Sequence, residues 1–350
     1  MTMQPKSNPG NFFEDFNPGD TLIHATPQTL TEGDLALYRA LTGSRFAQYS
    51  SAEFAKGAGL AGLGADPLHA FHIVFGKSVP DISLNAVANL GYADGRFLRP
   101  VMPGDTLRAE SQVIGVRENS NGKTGVVWVR TKGVNQRGEE VLSYVRWVMV
   151  NKRDAASPMR EAVVPELPAS VPASELKGFP EMKAWPLAQS GSRYTYEDYQ
   201  IGERISHVDG MTVQEAEHQM ATRLYQNTAR VHFDFHGQKE SRFGKRLIYG
   251  GVVISIARSL AFNGLGNAGQ MLAINAGSHV SPLFAWDTIY AWSEVLDKAE
   301  LSETCGALRL RLVAVKDQDP SAFAYKDAAG KYAEGVLLDF DYWAAIPRAR

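Results

Sequence analysis

FEDFNPGDTLIH, Phe13 to His24, returns as YEDYQIGERISH, Tyr196 to His207, and this return decides how the chain folds. The two stretches are displaced by 183 (196 minus 13), and the register holds beyond them. A fixed displacement sustained along a chain marks an internally repeated structural unit. Thr29-Leu-Thr-Glu32 meets Thr212-Val-Gln-Glu215, each with the T-x-x-E spacing of a capping box, so a helix is predicted to start at both places. Behind them Leu37, Tyr38 and Leu41 match Met220, Ala221 and Leu224, a three-and-four spacing that turns one apolar stripe inward. Gly43 supplies a left-handed stop for the first helix, and Gln226-Asn227 stands in that place in the second. Farther along, FLRPVMPGDTLRAESQVIG from Phe97 matches HVSPLFAWDTIYAWSEVLD from His279, now displaced by 182 (279 minus 97).

Both copies then become rich in β-branched and aromatic residues. Gly125 to Arg130 and Glu140 to Met149 flank the turn Asn135-Gln-Arg-Gly138, and Gly306 to Val315 and Gly335 to Trp343 repeat the plan around Asp327-Ala-Ala-Gly330. Each copy therefore reads as an α+β unit: a short helix, a longer apolar helix and several antiparallel strands. The expected division is residues 1–150, a connector at 151–192, and residues 193–350. Pro158, Pro165, Pro168, Pro172, Pro180 and Pro186 deny the connector regular structure, while Val163, Val164, Leu167, Val171 and Leu176 offer anchors that a free tether would not need.

Composition narrows the function. The 350 residues carry a net charge of −2 with acids and bases interspersed, which argues against a surface that tracks nucleic-acid phosphates. There is no run of ~18 uncharged apolar residues, so a membrane span is not expected. The opening MTMQPKSNPG shows neither a secretory nor a transit plan, and one cysteine, Cys305, excludes an intramolecular disulfide. A cytoplasmic protein acting on small molecules is the expectation.

The chemistry concentrates in Tyr225 to Gly251, YQNTARVHFDFHGQKESRFGKRLIYGG. His232 precedes the pair Gly250-Gly251, which opens an apolar helix after Tyr249. Glycine lets a ligand approach the backbone, and a helix start presents N–H groups to developing negative charge. An imidazole moves protons near neutral pH. Asp234 suits a local cap, and His232, Asp234 and His236 would share one face of a strand and could then hold a metal. Arg242, Lys245 and Arg246 suit phosphates or a carboxylate, and Arg230, if the backbone is extended, faces the same way as His232. His69 and His72 share a helical face in the first copy, where packing is the plainer reading.

On these residues the chain resembles the MaoC-like double hotdog proteins of the (R)-specific enoyl-CoA hydratase group. Val79 to Leu107, together with RLYQNTARVHF and RFGKRLIYGG, resembles the mesaconyl-CoA hydratases, also called β-methylmalyl-CoA dehydratases. The resemblance implies a long helix in each copy wrapped by a curved antiparallel sheet, the two sheets pairing edge to edge, with an acyl-CoA site between the copies. In the family pattern an aspartate stands five residues before the histidine. Here the histidine falls on His232, the following acid on Asp234 and the glycine on Gly250, but the aspartate falls on Asn227. The same alignment puts Ser44 and Tyr49 at those places in the first copy (227 and 232 less 183), which makes that copy a wall rather than a second catalytic centre.

The resemblance implies a hydro-lyase for the reversible dehydration of β-methylmalyl-CoA to mesaconyl-CoA. His232 is the expected proton carrier, Asn227 the group holding water or the leaving hydroxyl, and Gly250 and Gly251 the oxyanion donors. Arg230, Asp234, Tyr249, Arg242 and Arg246 are the candidates for contact with substrate. No cofactor beyond the CoA of the substrate is expected, and a homo-oligomer is compatible with the sequence. A generic (R)-specific 3-hydroxyacyl-CoA dehydratase, a thioesterase and a non-catalytic acyl-CoA-binding protein stand as alternatives.

Overall fold

Two helices are apolar on nearly every side, and the rest of the chain wraps them. The computed structural model describes residues 6–349. In the first half β1 (Thr21–Thr29) leads through α1 (Glu32–Thr42) and the short α2 (Ala47–Ser50) and α3 (Ala52–Gly57) to the long α4 (Pro67–Ile82). Strands β2 (Ala86–Phe97), β3 (Thr106–Glu118), β4 (Thr124–Val134) and β5 (Glu140–Asn151) follow. The second half repeats the plan with β6 (Arg204–Thr212), α5 (Glu215–Leu224), the short α6 (Arg230–Phe233) and α7 (Phe235–Gln238), then α8 (Gly250–Leu260) and the short α9 (Phe262–Leu265). It closes with β7 (Gln270–His279), β8 (Thr288–Glu300), β9 (Cys305–Lys316) and β10 (Val336–Pro347). Residues 251 to 260 of α8 are all buried, as a helix must be when it lies between a sheet and another half-molecule.

All ten strands join one antiparallel sheet in the order β1-β3-β4-β5-β2-β7-β10-β9-β8-β6. The halves meet where β2 pairs with β7, and the pairing obeys the repeat. Tyr92 stands opposite Gly277 and Gly95 opposite Ile274, and adding 182 to one member of each pair gives a member of the other. A side chain at Gly95 would strike Ile274, and one at Gly277 would strike Tyr92, so the two glycines let the halves approach across the seam. His24 and His207, the last residues of the repeated stretch, are buried pins: each bonds a serine of the neighbouring strand at 2.8 Å, Ser111 for His24 and Ser293 for His207.

Both helices start where the T-x-x-E pairs predict, at Glu32 and Glu215, but Thr29 and Thr212 do not cap them. Thr29 and Thr212 end their strands and bond Thr106 and Thr288 across the ladder at 2.7 and 2.8 Å. Thr31 caps α1 in a box with Asp34, and α5 begins after Gln214 without a side-chain cap. Cross-strand pairing has taken the threonines that the local pattern assigned to caps. Met220, expected inside, is 42% exposed, whereas Ala221 and Leu224 are buried as expected, with His218 and Thr222 beside them. The residues around Asp327 to Gly330 form a turn within a longer excursion between β9 and β10 rather than a tight hairpin.

Alternation along β10 explains the course of the connector. Tyr342, Ala344 and Ile346 face the helices, whereas Trp343 and Ala345 face the other way and join a second cluster with Val171, Leu176, Met182 and Trp185. The connector thus covers the sheet face that the helices leave open. Val171 N–H donates to Asn275 Oδ1 at 2.9 Å, and its carbonyl accepts from Trp343 Nε1 at 3.0 Å. Val163 and Val164 are exposed, and Val163 is held by main-chain bonds to Val116 instead.

Candidate active site

The site is assembled on the turn that ends α5. Gln226 takes the left-handed conformation, φ 52°, at the position where the first copy has Gly43, φ 67° (43 plus 183 is 226). This reverses the chain, and Asn227 fixes the residues after it: its N–H donates to Thr222 O at 2.8 Å and its Oδ1 accepts from Ala229 N at 3.1 Å. Asn227 is 1% exposed, and its Nδ2 has no protein partner. The turn leans on α4, where Lys77 Nζ donates to Gln226 Oε1 at 2.7 Å.

The turn delivers α6, a single helical turn rather than a loop or strand, and His232 on it. His232 Nδ1 lies 2.8 Å from the Leu247 carbonyl. A carbonyl only accepts, so Nδ1 carries the proton and Nε2 keeps a free lone pair. The chain returns through Leu247, whose N–H donates to Val231 O at 3.1 Å, and Tyr249 then caps α8 with its ring centroid 5.5 Å from that of His232. Gly250 and Gly251 come directly after it. Their N–H groups are among the first of α8 and have no carbonyl one turn earlier to bond.

Two histidines outside the catalytic stretch complete the cluster. His218 of α5 accepts the Tyr249 N–H on Nε2 at 3.0 Å, and its ring lies 6.1 Å from that of His232. His279, at the end of β7, packs its ring on Gly250, where a Cβ would come within 2.3 Å of it. Burial pushes all three imidazoles below their ordinary range: His232 to about 4, with the Leu247 carbonyl pulling the other way, His218 to about 3 and His279 to about 4. At neutral pH the three are uncharged, which leaves His232 Nε2 available as a base.

The other sequence candidates have definite places. Asp234 caps α7, its Oδ1 accepting from Gly237 N at 3.0 Å. Because His232, Asp234 and His236 lie on two short helices, the alternation that would have gathered them as metal ligands does not apply. Arg230 lies two residues from His232 on a helix, so the two do not face the same way. Arg246 is engaged by Glu215 and Gln219 of α5 and latches the loop to that helix instead of standing free. Arg242 is exposed, its guanidinium 5.3 Å from the centre of the Phe243 ring. His69 stacks on Tyr38 at 4.7 Å, and His72 Nε2 bonds Ser255 Oγ at 2.7 Å, so both pack in the core.

In the first copy the equivalent region holds an apolar cavity of about 330 Å³ lined by Tyr49, Phe97, Val101 and Met102, with Phe179 of the connector. Pro67 opens α4 there, and the Asp66 carboxylate occupies the helix start by accepting from Leu68 N at 2.9 Å. Tyr49 stands where the second copy has His232, and the imidazoles of His69 and His72 are packed in the core, so the His232 and double-glycine arrangement is not repeated in that copy. His218 and His279 escaped the sequence reading because neither lies in the stretch around His232. The signal for His279 was its alignment with Phe97 at the head of the second matched segment.

Comparison with known proteins places the chain in a family. The chain matches the mesaconyl-CoA hydratase family over residues 4–329. It is 58% identical over 350 residues to the β-methylmalyl-CoA dehydratase of Chloroflexus aurantiacus, covering 99% of both chains. It is 59% identical over 347 residues to the mesaconyl-CoA hydratase of Cereibacter sphaeroides, covering 98% of this chain and all of the other. Among solved structures, a MaoC domain protein dehydratase from Chloroflexus aurantiacus superposes with a TM-score of 0.96 at 57% identity over 99% of this chain and 100% of that one. A Mycobacterium tuberculosis protein with a double hotdog fold gives 0.78 at 24% identity over 97% of this chain and 99% of its own, a likeness of fold alone.

Proposed function

The chain belongs to the mesaconyl-CoA hydratase family, and from that premise we propose that it is a hydro-lyase catalysing the reversible dehydration of β-methylmalyl-CoA to mesaconyl-CoA. The observation that carries this reading is His232, whose Nε2 is left free by the Leu247 carbonyl beside an α8 start made of two glycines.

The thioester acidifies the carbon next to it. His232 Nε2 takes the proton from that carbon while the N–H groups of Gly250 and Gly251 hold the enolate-like oxygen. The electron pair then closes the double bond, the carbon–oxygen bond to the hydroxyl breaks, and the proton returns from His232 to that oxygen, which leaves as water. Hydration runs the same steps backwards. Asn227 supplies an amide able to hold the water but unable to act as a base, so one imidazole carries the proton both ways. Tyr249 excludes solvent from one side, and Arg242 remains an exposed cation for CoA. The chemistry calls on no resident metal or nicotinamide.

No helix among the described residues is long and apolar enough to cross a membrane. Cytoplasmic placement, on the single cysteine, and assembly of copies into an oligomer are further parts of this proposal. The test is an assay of mesaconyl-CoA hydration by absorbance of the conjugated thioester. His232→Ala is expected to lower the rate by a factor on the order of 10²–10⁴ with the fold intact. Near-normal turnover in that variant removes His232 from the reaction.

A further inference from the structure

The turn after β7 carries a tryptophan where its backbone calls for glycine. Trp286 has φ 79° and is 72% exposed. Its counterpart in the first copy is Gly104, φ 93° (104 plus 182 is 286). The two turns are otherwise the same. Trp286 N–H donates to Val213 O and Gly104 N–H to Leu30 O, each at 2.8 Å, and Asp287 and Asp105 each accept from a main-chain N–H three residues earlier at 2.9 Å. A bulky side chain in the left-handed region is strained, and one this exposed recovers little of that strain by packing. An indole held this way is poised for something outside the chain.

Its surroundings say what. Leu283, three residues earlier, accepts the Ile248 N–H at 3.0 Å, two residues before Gly250, so the turn stands beside the catalytic helix start. The repeat agrees: Val101 and Met102 line the first-copy cavity, and adding 182 gives Leu283 and Phe284. Phe284 packs on Phe243 at 5.3 Å between centroids, Lys245 Nζ lies 4.1 Å from the Phe284 ring centre, and Arg242 caps Phe243. Among the described residues neither Lys245 nor Arg242 is ion-paired. The exposed rings of Trp286 and Phe243 and the half-buried Phe284, beside unpaired cations, fit a planar base joined to phosphates.

We propose that Trp286, with Phe284 and Phe243, is the platform on which the adenine of the CoA substrate stacks, with Lys245 and Arg242 facing its phosphates. The assignment rests on the acyl-CoA reading above and names where the nucleotide end is held.

Trp286→Gly restores the residue of the first copy and relieves the backbone, so a purely structural role and a binding role part company. The experiment compares kcat/KM for mesaconyl-CoA with that for mesaconyl-pantetheine, which lacks the nucleotide, in the full-length protein. Stacking on one base is worth roughly a 5- to 150-fold change in affinity. The preference for the CoA ester is expected to fall by that factor in Trp286→Gly, to recover in Trp286→Phe and to weaken in Lys245→Ala, with no drop in thermal midpoint for the glycine variant. An unchanged preference overturns the proposal. So does a change of oligomeric state in Trp286→Gly with CoA affinity unaltered, which would make this face a contact between copies. Calorimetric titration with CoA and with pantetheine reads the same preference without turnover, so loss of the hydratase reading would not be mistaken for loss of this one.

Discussion

At Gly250 the absence of a side chain seats the His279 ring, and in the proposed reaction it also leaves the main-chain N–H open to an oxyanion. Gly250→Ala places a methyl 2.3 Å from His279 Cε1, so the imidazole must move. The N–H remains but the methyl stands in the way of an oxygen approaching it, so we expect turnover to fall by up to about 10²–10³, the scale of an oxyanion donor made unreachable, with the urea midpoint little changed. Activity within a few-fold of the parent would show that neither the bare face of Gly250 nor the position of the His279 ring is used. His218 works at one remove, because its Nε2 is the acceptor for Tyr249 N–H. His218→Leu leaves that buried donor unpaired at a cost of about 1–3 kcal/mol and lets the start of α8 loosen, so stability and kcat are expected to fall together. A urea titration run beside the assay checks the pairing.

Among elements, α4 is the brace against which the catalytic turn is set. A Cβ at Gly76 would lie 1.8 Å from Tyr225 O and 3.2 Å from Asn227 N. The nearest obstacle is main chain at the end of α5, with no flexible side chain to swing aside. Gly76→Ala is therefore expected to cost about 1–3 kcal/mol and to displace the turn carrying Asn227. Loss of activity should accompany loss of stability here, unlike at Gly250. Equal urea midpoints for Gly76→Ala and the parent protein would refute this account of the contact.

For the whole molecule, histidines withdrawn from water, four of them buried and His232 and His279 half-buried, set the response to acid. Burial holds His69, His207, His232 and His279 at about 4, and His72 and His218 at about 3. In the unfolded chain each takes its proton near 6.5. Between pH 6.5 and 4 the unfolded state binds more protons, so stability rises with pH through that window and is lost as pH falls. Above 6.5 these groups contribute no slope. Asp66 opposes them: burial lifts it to about 6 although the Arg258 guanidinium pulls it down, so its contribution falls as pH rises from about 4 to 6. Six groups outweigh one, and the urea midpoint is expected to be clearly lower at pH 5 than at pH 7.5. A flat profile over that range would show that these imidazoles are not held neutral.

The doubled α+β architecture was legible in the sequence because a repeat is a local pattern written twice: Phe13 to His24 and Tyr196 to His207 dictate like elements wherever they occur, and an apolar stretch such as 252 to 257 must be buried. His232 and its glycine pair were legible for the same reason, lying on one short stretch. Local pattern could not say that Thr29 and Thr212 would be spent on cross-strand bonds, that α5 would latch Arg246, or that His218 and His279 would close on the start of α8. Those outcomes depend on which strands pair and which helices cross, and so on contacts between residues far apart along the chain. Only the tertiary structure decides them, and Trp286 shows it most plainly: the sequence names a tryptophan, but its left-handed backbone and its place beside the catalytic helix exist only once β7 has reached the seam and the chain turns back toward β8.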